Sequence, residues 1–194
     1  MAMERVSGIR QLTRTLKHPV VTIGNFDGVH LGHQKIVKTA LARAKEKGGD
    51  CVAYTFRPHP QMLLRPELQT QLLTTYDEKL DLLEALGVDV VIEEPFSREF
   101  SEKEPSEFFS DVLLHQLSAE AIVVGYDFAF GRERHGHLDS LRQFCASSGV
   151  ELDVVPPHGA NANPLSRCPT RGGVLHLPRR RARLAAADLP AAWL

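Results

Sequence analysis

Apolar positions along this chain fall into two kinds of pattern, short unbroken runs and longer stretches with helical spacing. Val20 to Ile23 (VVTI), Cys51 to Phe56 (CVAYTF), Asp89 to Ile92 (DVVI), Ala121 to Val124 (AIVV) and Leu152 to Val155 (LDVV) are the runs. Each is short, rich in β-branched residues and closed by Gly, Pro or charged residues, the signature of a buried strand. Between them lie segments whose apolar residues return every three or four positions. These are Gln34 to Lys47, the stretch after Thr75 with Leu80, Leu82, Leu83 and Leu86, the stretch after Pro105 with Phe108, Phe109, Val112, Leu113 and Leu117, and Leu138 to Ser148. Thr75-Tyr76-Asp77-Glu78 has the form of a capping box, and Pro105 stands where a first-turn proline belongs. Strands that are apolar on both faces and alternate with helices predict an α/β fold, an about five-stranded parallel sheet with helices on both faces. Ligands of such sheets bind beyond the carboxyl ends of the strands, at a switch in strand order. The loops after the first, second and fourth runs are therefore where chemistry is expected.

Three motifs occupy those loops. Gly24-Asn25-Phe26-Asp27-Gly28-Val29-His30-Leu31-Gly32-His33 leads from the first strand into the first long helix. A helix start presents N–H groups without intrahelical partners, which attract phosphate, and glycines let backbone approach a ligand closely. His30 and His33 beside such a site suit the stabilisation of charge developing on a phosphoryl group. The plainer reading is a helix-capping loop with two incidental histidines. A zinc site would need a third ligand such as His59, and no Cys or acid stands at a supporting spacing, so no metal ligand is assigned. The second motif, Phe56-Arg57-Pro58-His59-Pro60, is a loop stiffened by two prolines. The third, Gly125-Tyr126-Asp127-Phe128-Ala129-Phe130-Gly131-Arg132-Glu133-Arg134-His135-Gly136, sets aromatics around an acid and follows them with bases. That mixture fits a planar, partly apolar ligand carrying phosphate, or else an aromatic staple holding the loop to the core.

Composition divides the chain. The net charge is -1, from 23 Lys and Arg against 24 Asp and Glu. Residues 160–194 hold six arginines (Arg167, Arg171, Arg179, Arg180, Arg181 and Arg183) and one acid, Asp188, leaving 17 bases against 23 acids in residues 1–159. An acidic body does not bind nucleic acid through bulk charge, and the basic tail lacks the aromatics and helical stripe that would support it. No apolar run reaches the ~20 residues of a membrane span. Cys51, Cys145 and Cys168 are odd in number and widely spaced, which argues for reduced thiols in a cytoplasm rather than a disulfide framework. Oligomeric state is not legible.

Taken in order, GNFDGVHLGH at 24–33, FRPHP at 56–60, LLTTYDEKLDLLEALGVD at 72–89, VGYDFAFGRERHG at 124–136 and VVPP at 154–157 closely resemble a known module. It is the FAD synthetase (FMN adenylyltransferase) module of bacterial bifunctional riboflavin kinase/FAD synthetases, and the likeness covers residues 20–157. It implies a Rossmann-like nucleotidyltransferase fold over residues 1–159. It further implies transfer of adenylate from ATP to FMN, giving FAD and pyrophosphate, with Mg²⁺ on the nucleotide phosphates. By the same likeness His30, His33 and Asp127 are the catalytic candidates. Gly24, Asn25, Phe26, Asp27, Gly28 and Arg179 join the two histidines on the ATP side. Phe56, Pro58, His59, Pro60, Tyr126, Asp127, Phe128 and Phe130 line the flavin side, and Arg132 and Arg134 are weaker phosphate contacts.

The likeness fails after Pro157. The family carries an S-S-T-R-I-R-type motif there, whereas aligning Ala187-Asp188-Leu189-Pro190 with the family's continuation sets Leu177 and Pro178 where Ser and Thr are expected, and Arg179 opposite the first Arg. Residues 160–194 are thus read as an atypical Arg/Pro-rich tail, either disordered or, from about 160 to 180, translated from a shifted frame. The kinase module has no counterpart, so no riboflavin kinase activity is expected. Two alternatives stand beside FAD synthesis. One is a catalytically impaired homologue that binds flavin and ATP; the other is a different H-x-G-H nucleotidyltransferase, acting on nicotinamide mononucleotide or phosphopantetheine.

Overall fold

A computed structural model describes residues 2–157. The tail from 160 onward and Arg179 lie outside the described residues. Six strands, β1 (Glu4–Ser7), β2 (Val20–Ile23), β3 (Cys51–Arg57), β4 (Val90–Pro95), β5 (Ala121–Gly125) and β6 (Glu151–Val155), form one parallel sheet in the order β1-β4-β3-β2-β5-β6. The fold class matches the expectation from sequence, with one strand more than the five apolar runs. β1 is the addition. Its sequence, ERVS, buries only Val6 because the strand lies at the sheet edge, so it has no apolar run to read.

The helices are α1 (Leu31–Lys47), α2 (Pro60–Leu64), α3 (Tyr76–Leu86), α4 (Arg98–Ser101), α5 (an α-helical turn Pro105–Glu107 continued by Phe108–Gln116) and α6 (Leu138–Ser148). From Phe108 onward α5 winds as a π-helix. Alternation along the parallel strands explains why each reads as solidly apolar. Val21, Ile23, Val52, Tyr54, Val90, Ile92, Ile122 and Val124 point to one face and pack with α5 and α6 through Phe108, Leu113, Leu141 and Cys145. The intervening Val20, Cys51, Ala53, Val91, Ala121 and Val123 point to the other face. Several of these are small, and Ala40 and Ala44 of α1 settle onto them. Both faces are dry, as covered parallel sheets require.

Ion pairs hold β1 at its edge. Arg5 reaches Asp81 and Glu84 of α3 at 2.7 Å each, and Arg14 joins Glu4 at 2.7 Å to Asp50, just before β3, at 2.9 Å. The strand order reverses between β2 and β5, so a crevice opens beyond their carboxyl ends. The loops that leave those two strands carry the first and third motifs.

Candidate active site

The loop after β2 is built around residues with positive φ. Phe26 has φ 50° and ψ 30°, Gly28 φ 72° and Val29 φ 36°. Gly28 is required twice, because a Cβ there would lie 2.9 Å from Leu73 Cδ1 and its backbone sits in the left-handed region. Phe26 and Val29 turn into the core, each 1 % exposed, so the tight turn is anchored by burial on both sides of Asp27. Asp27 turns its carboxylate to the neighbouring 72–75 segment. It accepts from the Leu73 N–H at 2.9 Å and the Thr74 N–H at 3.3 Å, while the Gly28 N–H donates to Thr74 Oγ1 at 3.2 Å. Asp27 thus acts as a clamp between two loops. Of the ATP-side candidates, Phe26 and Asp27 shape the turn from within.

His30 is the N-cap of α1, and its Nδ1 accepts from the His33 N–H at 3.4 Å. That bond places the proton of neutral His30 on Nε2. The rings of His30 and His33 stack with centroids 3.7 Å apart and planes at 21°, and Phe26 meets His33 edge-on at 5.5 Å. Gly32 gives the stack room, since a Cβ there would lie 3.1 Å from the His30 ring. Burial, with a smaller push from His30, lowers the His33 imidazole to about 3. Burial also lowers His30, while Asp127 and Asp27 pull it back up. Both imidazoles are therefore neutral near pH 7, and the exposed His30 has its Nε2–H to offer at the positive end of a helix dipole.

Asp127 follows β5 across the crevice. Its Oδ1 folds over Gly125, where a Cβ would lie 3.1 Å from it, and its charge reaches His30. The aromatics of this loop divide. Phe130 is 7 % exposed and packs on Phe108, and the half-buried Phe128 stacks on Phe130 at 5.4 Å. Tyr126 is 42 % exposed. The staple of the sequence reading is thus present in Phe128 and Phe130, while Tyr126 is left free of it. Arg132 and Arg134 are exposed, and Arg132 pairs with Glu104 at 3.7 Å.

The FRPHP segment forms the far wall. His59 is buried and caps α2, its Nδ1 accepting from the Gln61 N–H at 3.2 Å while its own N–H donates to Tyr76 Oη at 2.9 Å. Burial lowers the His59 imidazole, Asp27 opposing and Lys79 assisting. Phe56 is spent on packing against Phe96, Phe100 and Tyr54. Pro58 is exposed and Pro60 begins α2. Met62, Leu64, Leu68, Leu73 and Leu31 leave an exposed apolar rim around this end of the molecule.

Sequence reasoning passed over Lys79, Thr55, Tyr76 and Glu93. Lys79 is 4 % exposed, and its Nζ donates to Thr55 Oγ1 at 3.0 Å and lies 3.8 Å from Glu93 Oε1. Burial lowers its ammonium, with Glu93 and Asp27 opposing. The available signal was position, since Lys79 falls on the same stripe of α3 as Leu80 and Leu83. Among the described residues, no three His, Cys, Asp or Glu side chains converge to hold a metal ion. Nor is any helix there long and apolar enough to cross a membrane.

A parallel sheet with a histidine pair at the helix start beside its switch point defines a Rossmann-like domain of the nucleotidyltransferase type. A family model described as FAD synthetase matches residues 12–168, and the chain belongs to that family. It is 39 % identical over 148 residues to the FAD synthetase of Listeria monocytogenes, covering 76 % of this chain and 59 % of that protein. It is 34 % identical over 151 residues to the bifunctional riboflavin kinase/FMN adenylyltransferase of Escherichia coli, covering 77 % of this chain and 48 % of that one. The chain thus spans about half to three-fifths of the length of these relatives. A crystal structure of a macrolide-efflux protein from Streptococcus pneumoniae superposes with a TM-score of 0.70 at 25 % identity, over 83 % of this chain and 53 % of that one.

Proposed function

We propose that this chain transfers the adenylyl group of ATP to FMN, giving FAD and pyrophosphate. The observation that carries this reading is the stacked His30–His33 pair at the start of α1, within range of the Asp127 charge, in a chain of the FAD synthetase family. A phosphate oxygen of FMN attacks the α-phosphorus of ATP in line. A P–O bond forms to the flavin phosphate as the bond to the β-phosphate oxygen breaks, and pyrophosphate leaves with that electron pair. No covalent enzyme intermediate is needed, so the protein's share is positioning and charge stabilisation.

In this reading the ATP phosphates lie against the first turn of α1. Neutral His30 donates from Nε2 to a phosphoryl oxygen, and its partner His33 keeps the ring in place from below. Gly24, Asn25 and Gly28 form the turn that lies along the nucleotide, Gly24 clearing the Phe26 ring and Gly28 clearing Leu73. Tyr126 and the Pro58–Pro60 segment flank the isoalloxazine side, and Asp127 stands between the two ligands. Arg132 and Arg134 rank below these as phosphate contacts. Mg²⁺ accompanies the triphosphate, because this small cation keeps mostly phosphate oxygens and water around it. We assign the reaction to the cytoplasm. Residues 1–159 form the catalytic unit in this reading, and residues 160–194 the atypical tail.

The test is an assay of FAD formation by the purified chain with ATP, Mg²⁺ and FMN. FAD and pyrophosphate should appear in equal amounts, and His30→Ala should lower turnover by about 100-fold, the loss typical of removing one preorganised donor to a developing charge. Binding of ATP and FMN without release of pyrophosphate would instead identify an impaired binding homologue.

A further inference from the structure

Lys79 poses a question that the proposed reaction does not answer. Burying an ammonium is costly even when it is paired, and an apolar residue at this position of α3 would pack against the same neighbours at lower cost. The side chain is nonetheless 4 % exposed, and Thr55, its hydrogen-bond partner, is fully buried. Thr55 and Glu93 are register partners on β3 and β4, so the sheet itself sets their carboxylate and hydroxyl side by side under α3.

The bonds run in one direction. Glu93 Oε1 lies 3.8 Å from Lys79 Nζ, which donates to Thr55 Oγ1 at 3.0 Å, and the Thr55 hydroxyl donates to the Asn25 carbonyl at 3.2 Å. Asn25 belongs to the turn that delivers His30. The other oxygen of Glu93 lies 3.7 Å from Arg57 Nη1 at the head of the far wall. Arg57 and Lys79 both lie over the Tyr76 ring, at 4.7 and 5.2 Å from its centroid, and Tyr76 Oη receives the His59 N–H. One buried cation and one carboxylate therefore brace the loops after β2 and β3 from the same point.

We infer that Lys79, acting through Thr55, is a positioning residue that fixes the Asn25 carbonyl and with it the nucleotide loop leading to His30. The inference rests on the proposed role of that loop in binding ATP. The Thr55 branch serves the ATP side alone, and the Glu93–Arg57 branch serves the far wall.

Calorimetric titration of ATP and of FMN, alongside thermal melting, tests this on the whole chain. Thr55→Val keeps the shape of the side chain and removes the donor to Asn25; Thr55→Ser restores it. Thr55→Val should weaken ATP binding by about tenfold and leave FMN binding within about twofold, and Thr55→Ser should return to the wild-type value, since one hydrogen bond lost from a binding loop is worth about a factor of ten. Lys79→Met combined with Glu93→Gln removes both charges without leaving either orphaned, and should show the same ATP defect with its melting transition kept. ATP affinity unchanged in Thr55→Val and in the double variant overturns the inference. An equal loss of ATP and FMN affinity in Thr55→Val also overturns it, because that is the mark of general loosening. A wild-type chain that binds ATP but makes no FAD defeats the proposed reaction only, and the variant titrations still decide the relay. A wild-type chain that does not bind ATP defeats both.

Discussion

His33 lies in ring-to-ring contact with His30, 3.7 Å between centroids, so that an exposed imidazole rests on one whose Nδ1 is buried and makes no hydrogen bond. The lower ring cannot accept a proton without carrying a charge into a dry place beside its partner. Burial thus keeps both rings neutral, with the neighbouring His30 adding a smaller push on His33, and the stack aligns them.

A pH dependence of stability follows. The folded His33 is lowered to about 3, whereas an unfolded imidazole titrates near the ordinary value of 6.5. Between these values the unfolded chain holds a proton that the folded one refuses, so stability is full above pH 6.5 and is lost as pH falls toward 3. The slope for this one group approaches about 1.4 kcal/mol per pH unit. Urea unfolding from about pH 7.5 to about pH 5 should show a steeper loss in the wild type than in His33→Gln by up to that amount per unit.

The clamp between Asp27 and the 72–75 segment predicts a coupled effect. Asp27→Ala leaves the Leu73 and Thr74 N–H groups without their carboxylate and should cost about 2 kcal/mol, as lost bonds to a charged acceptor do. Gly28→Ala forces a Cβ against Leu73 at a positive φ and should cost about 1–3 kcal/mol. Because both changes break one junction, the double variant should lose less than the two single losses combined, which chemical denaturation of all four proteins would measure.

Tyr126 and Phe130 should behave in opposite ways although they are four residues apart. Phe130→Ala opens the aromatic core under the loop and should cost about 3–5 kcal/mol in urea unfolding. Tyr126→Ala removes an exposed ring outside the aromatic core and should shift stability by no more than about 0.5 kcal/mol. It should weaken FMN binding, read by flavin fluorescence, while ATP affinity stays at the wild-type value.

Much of this is legible in the sequence. β2 to β6 were visible because both faces of the sheet are covered, which turns each strand into an apolar run. The three loops at the carboxyl edge followed from that alternation alone. β1 escaped because an edge strand with one buried side chain looks like any polar segment. α2 escaped because the flanking prolines read as a turn, although one of them opens the helix. The π-winding of α5 left no trace, since Phe108, Phe109, Val112 and Leu113 satisfy either pitch. Lys79 and Glu93 were hidden for a different reason. Charged residues read as solvated in one dimension, and only the register of β3 against β4 reveals that they meet under a helix.

The rings of Phe128, Phe130, Phe108, Phe100 and Phe56 form a continuous chain of contacts, each pair 5.4–6.0 Å apart, from the loop after β5 to the end of β3. The loops after β3 and β5 thus share a single aromatic spine, which ties the placement of one to that of the other. A ligand bound between them, as proposed, would meet loops already ordered by the core. What remains to be ordered is the rim, where Leu64, Leu68 and Leu73 stand exposed. The entropy lost on binding should therefore fall on that rim, and residues 64–73 should show the largest gain in amide protection when flavin is added.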